Sequence, residues 1–167
     1  MSDRLLSFPN PVNEVAARVT AGGVVVLGVV LLAMQWQWLA PLMAVGFLLR
    51  VLAGPKLSPL GLLSTKVIVP RLPFEKRLVA GPPKRFAQSI GLVFTTLASV
   101  LFLTGTTTAA YVVIAALVVA AGLEAFAGFC LGCQAFALLM RAGVIPAEVC
   151  ESCNDIWAGR ERPTVAS

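Results

Sequence analysis

A chain of 167 residues that is 58% hydrophobic and only 13% charged, with a mean hydropathy of +0.88, is too apolar for a water-soluble domain, where about a quarter of residues carry charge. Its net charge of +5 includes no contribution from histidine, which is absent, and that excludes mixed Cys/His zinc sites, haem ligation by His and imidazole acid–base catalysis. The basic residues lie between long apolar runs, so the positive balance points to an anionic lipid leaflet and not to nucleic acid.

An α-helix needs about 20 mainly apolar residues to cross roughly 30 Å of hydrocarbon. The chain therefore reads as all-α, a polytopic membrane protein with a four-transmembrane-helix bundle, interfacial helices and a short cytoplasmic tail. The first span covers about residues 15–34; Asn13 is its N-cap, and Glu14 suits the positive end of the helix dipole. No small-residue cleavage site follows it, so it reads as an uncleaved span. A second, shorter span at about 38–53 contains Arg50. Residues 54–85 form a cytoplasmic interfacial loop in which Ser58 and Pro59 cap and start a short helix through Leu62, Leu63, Val67 and Ile68.

The third span, about 86–103, opens after Pro82, Pro83, Lys84 and Arg85. The fourth, about 108–129, stays apolar as far as Met140, which is too long for one perpendicular crossing. The turns at Gln35–Trp38 and Thr104–Thr107 carry no charge and are short, so each joins an antiparallel hairpin. Trp36 and Trp38 read as an aromatic belt on that uncharged side. Gly22, Gly23, Ala116 and Ala120 are available for close helix contacts.

Side is read from the basic residues, which accumulate in cytoplasmic loops. Lys56, Lys66, Arg71, Lys76, Arg77, Lys84 and Arg85 fall between the second and third spans, Arg4 and Arg18 near the N-terminus, and Arg141, Arg160 and Arg162 after the fourth. All share one face of a four-pass topology, which places both termini in the cytoplasm and the chain in the cell inner (plasma) membrane. Residues 1–142 form the transmembrane domain, and residues 143–167 form the cytoplasmic cysteine-containing tail.

Glu124 is the one acid well inside an apolar span, and an ionised group there demands a partner or a proton. At ~1.5 Å per residue it lies about 24 Å below Thr108, and Arg50 lies about 21 Å below Trp36. Similar depth predicts a buried ion pair between Arg50 and Glu124 that joins the second and fourth helices, either as an orientation lock or as a relay. The alternative is that Arg50 snorkels to the headgroups while Glu124 is protonated.

Four cysteines occur as two C-x-x-C pairs, Cys130-Leu-Gly-Cys133 and Cys150-Glu-Ser-Cys153. Two such pairs fit a thiol–disulfide relay or a four-thiolate zinc site formed by Cys130, Cys133, Cys150 and Cys153; simple packing fits less well. Zinc is the cofactor that four thiolates suggest first, with an iron–sulfur cluster as a lesser version of the same metal reading. Reactivity depends on where each sulfur sits relative to a helix end. An unbroken helix to Met140 buries the first pair in mid-helix, whereas a bend near Gly128 puts Cys130 at the head of a new helix and lays Gln134–Arg141 on the membrane surface. Pro146 as a first helical residue would place Cys150 and Cys153 one turn apart, with Glu148 and Glu151 opposing thiolate formation.

Phe8–Asn13, the stretch Arg50–Pro59, Pro83–Gln88 and above all Glu124-Ala-Phe-Ala-Gly-Phe-Cys-Leu-Gly-Cys133 resemble a family of small, functionally uncharacterised bacterial four-helix membrane proteins. The resemblance covers most of residues 8–140. It implies company with thioredoxin-like and sulfurtransferase proteins, and so sulfur or disulfide traffic, but no assigned reaction. The expectation is a cytoplasm-facing thiol–disulfide or sulfur-transfer partner using the two pairs. The alternative is a non-enzymatic membrane scaffold with a four-Cys structural zinc site.

Overall fold

The computed structural model describes residues 12–71 and 78–149. Cys150 and Cys153 lie outside the described residues, as do Glu151, Arg4, Lys76, Arg77, Arg160 and Arg162. Two short strands, β1 (Val12–Asn13) and β2 (Leu78–Val79), pair antiparallel with Val12 opposite Val79. They tie the chain entering the first helix to the chain entering the fourth.

Helix α1 spans Glu14–Met34, and Asn13 caps it as expected, its Oδ1 accepting the Val15 N–H at 3.0 Å. Helix α2 spans Leu39–Ala53. Ser58 then caps α3 (Pro59–Leu62) by accepting the Gly61 N–H, and Pro59 stands in the first turn, where no N–H is needed. The helix widens into a π turn over Leu63–Ile68. Helix α4 runs Gly81–Leu103 and α5 Thr107–Gly122; α5 continues as a π turn, Leu123–Ala127, before α6 at Leu131–Arg141.

Among the described residues, three helical stretches are long and apolar enough to cross a membrane: Glu14–Met34, Gly81–Leu103 and Thr107–Ala127. Helix α2, at 15 residues, reaches about 22 Å at ~1.5 Å per residue, short of the roughly 30 Å of a hydrocarbon layer. The expected second span is therefore present as a helix, but one shorter than a full crossing.

Helix α4 also begins earlier than the sequence suggests. The sequence reads Pro82 and Pro83 as loop, yet both sit in the first turn, where a missing N–H costs nothing. That start makes Lys84 a buried helical residue instead of a loop charge.

Helix α2 lies along α4, α4 packs on α5, α5 packs on α1, and α6 rests on α4. Leu31, Ala40, Met43, Ala98 and Ile114 form the centre. Contact between α2 and α4 is close because Gly91 faces the Phe47 ring, and a Cβ there would come within 2.4 Å of it. Hydroxyls inside the helices are satisfied locally: Thr95 donates to the Gly91 carbonyl at 2.8 Å and Ser99 to that of Thr95 at 2.7 Å. Val26, Val93, Val112 and Val119 point outward, an apolar exterior that hydrocarbon accepts and water penalises.

Candidate functional site

The site begins where α5 ends. Gly128 takes φ +68°, a left-handed conformation that a side chain resists. The guanidinium of Arg18 reaches across from α1, donating from Nε to the Ala125 carbonyl at 3.2 Å and from Nη2 to that of Phe126 at 3.0 Å. A cation on the last carbonyls of a helix satisfies their unpaired lone pairs and complements the dipole. The helix thus breaks at Gly128, the second of the two arrangements open from the sequence.

After the break Cys130 is extended (φ −92°, ψ 105°) and occupies the N-cap of α6, with Cys133 one turn further on. Both are free thiols; Cys130 is buried and Cys133 half-buried. Gly132 lets α6 settle on α4, since a Cβ at that position would lie 2.5 Å from Cα and Cβ of Ala87.

The two thiols differ in acidity. Cys130 is held below its ordinary value, first by the hydrogen bond its thiolate takes from Cys133, then with help from the Lys84 ammonium and the Cys133 amide, against burial and Glu124. Its neutral sulfur makes no capping hydrogen bond, so that amide acts on the charged form. Cys133 is pushed well up, because it supplies the proton of that hydrogen bond and is itself buried. The pair is divided into a thiolate-forming member and a proton-holding one.

Beside the thiols, Lys84 Nζ and Glu124 Oε1 form an ion pair at 2.6 Å, with 9% and 19% of their side chains exposed. The expected pairing of Glu124 with Arg50 is corrected here. Arg50, 5% exposed, donates from Nε to Ser58 Oγ at 3.0 Å and lies over the Phe47 ring, 5.0 Å from its centroid. Depth counting did bring Arg50 and Glu124 to one place, for both line the same cavity. Lys84 escapes that count because α4 begins five residues before the boundary that the sequence suggests at about residue 86. The signal was available: Pro82-Pro83 is a helix start as readily as a loop. Arg18, read only as an edge charge, gave no sign of its role, because its partners are backbone carbonyls 107 and 108 residues away.

The cavity, about 410 Å³, is lined by α1, α2, α4, α5 and the start of α6, and Cys130 forms part of its wall. Gln88, also in the wall, has its Oε1 buried without a hydrogen-bond partner among the described residues. Cys130 and Cys133 can offer two thiolates to a metal. Among the described residues no third ligand joins them, and the other half of the four-thiolate expectation, Cys150 and Cys153, lies outside those residues.

These features describe an all-α membrane protein with a dithiol at a helix start, set against a buried ion pair. The chain belongs to the family described as Domain of unknown function (DUF4395), whose model matches residues 12–141. The matched region contains Arg50, Lys84, Glu124, Cys130 and Cys133 and ends before Cys150. No curated protein and no solved structure matches the chain.

Proposed function

We propose that the protein is a multi-pass inner-membrane component of thiol–disulfide or sulfur exchange, with Cys130 and Cys133 as the working pair. The observation that carries this reading is the placement of Cys130 at the N-cap of α6 with the free thiol of Cys133 one turn on. A thioredoxin-like or sulfurtransferase protein is the partner. The Cys130 thiolate attacks the partner's disulfide; a mixed disulfide forms and the partner's other sulfur leaves as a thiolate. Cys133 then loses its proton, with Glu124 as the carboxylate in the cluster able to take it, and attacks the Cys130 sulfur. The Cys130–Cys133 disulfide closes and the partner departs reduced; the same steps run in reverse.

The distribution of basic residues supports a topology with both termini and the dithiol at the cytoplasmic leaflet and with α2 as a short additional crossing. Cys150 and Cys153 serve as a relay pair in the tail. Replacing Cys133 with Ser should trap the first intermediate, so that Cys133→Ser accumulates a reductant-sensitive adduct with a thioredoxin-like protein while Cys130→Ser does not. Absence of any adduct from Cys133→Ser, in cells or with purified oxidised thioredoxin, would overturn the reading.

A further inference from the structure

We propose that the cavity behind Cys130 is a quinone site, which makes a membrane-dissolved quinone the electron acceptor of the dithiol; this rests on the exchange reading above. Helices α1 and α4 face each other across a space of about 410 Å³, within the roughly 300–1,000 Å³ of small-molecule sites. Its body is apolar and walled by small residues such as Ala16, Ala87, Gly91 and Ala120, with the rings of Phe47 and Phe94 among them. Its polar end gathers Arg50, Lys84, Gln88, Glu124 and the Cys130 thiol.

That combination selects the occupant. An oxyanion would press its charge against apolar walls, at a cost that Arg50 and a Lys84 already paired with Glu124 do little to offset. An acyl chain would fill the body but offer no acceptor to Arg50 and Lys84 and, in no state, a donor to the buried Gln88 Oε1. A quinone has a flat apolar ring and two carbonyl acceptors for Arg50 and Lys84. Its reduced form has two O–H donors, which answer Gln88 Oε1 and Glu124. The oxidised form is therefore held through the two cations and the reduced form also through Gln88 Oε1 and Glu124, in a cavity whose wall includes Cys130.

The reaction balances on these groups alone. Two S–H bonds, at Cys130 and Cys133, are broken; one S–S bond forms; the electron pair passes to the quinone, and the two protons complete its two O–H bonds as quinol. The partner's dithiol then reopens the disulfide, so that the net flow is from a cytoplasmic dithiol to a membrane quinone.

The test uses the full chain with Cys150→Ser and Cys153→Ser, reduced, freed of reductant and kept anaerobic in detergent. The probe is a fully substituted benzoquinone with a ten-carbon tail, which has no free ring position for thiol addition. One quinone should be consumed per chain, with Cys130 and Cys133 lost together to alkylation. Gln88→Leu, which removes one hydrogen bond, should raise the quinone concentration at half-maximal rate about tenfold, and Ala120→Phe, which fills the body, should do so more strongly. A chain that exchanges with oxidised thioredoxin yet leaves the quinone untouched overturns this proposal and leaves the dithiol reading standing. Failure of both reactions removes the dithiol reading itself. Unchanged quinone kinetics in both variants, each shown to be folded by its thermal unfolding, would place the reaction elsewhere and also overturn the site.

Discussion

Cys130 and Cys133 sit three residues apart in one environment, yet their acid strengths move in opposite directions because one proton serves both sulfurs. Alkylation reports this, since only the thiolate reacts. Iodoacetamide labelling of Cys130 should rise through a midpoint below the ordinary thiol value of 9.0, with Cys133 following only above it. A lowered value means that the thiolate persists as pH falls until that lower midpoint is passed. Cys133→Ala removes the main cause and should move the Cys130 midpoint upward, as followed by mass spectrometry across a pH series. The C-x-x-C spacing announced this pair, and the isolation of Glu124 among apolar residues announced a buried charge. Its partner was not legible, because Lys84 looked like a loop residue until the prolines before it were seen to start a helix.

The break between α5 and α6 turns a long apolar run into a site. It depends on Gly128 in a left-handed conformation, on Arg18 holding the last carbonyls and on Gly132 against Ala87. Gly132→Ala should lift α6 from α4 and cost about 1–3 kcal/mol, the usual range for overpacking. It should also expose Cys130 and speed its alkylation; thermal unfolding in detergent and labelling rate read the two effects. The excess length of the last apolar run made a bend one of two options in the sequence, and the glycines marked where it falls. The pairing of β1 with β2 left no trace, since two-residue strands carry no periodicity, and the widening of α3 into a π turn was equally invisible.

At the level of the whole molecule, three full-length apolar helices and the shorter α2 surround a cavity whose polar end lies beside the dithiol. Composition pointed to the class, because so apolar a chain leaves valines and leucines on its exterior, where hydrocarbon accepts them and water penalises them. Apolar run length and turn length indicated the order of the long helices, but not which small residues would leave a space between α1 and α4, since that depends on how the helices pack. The arrangement has meaning for function only if its two sulfurs work as a unit. The direct test is to equilibrate the full chain in lipid nanodiscs with dithiol–disulfide buffers of graded poise, then count free Cys130 and Cys133 by alkylation and mass spectrometry. Both thiols should vanish and return together, as a single two-electron step. Two thiols that stay alkylatable across the whole range would contradict the account.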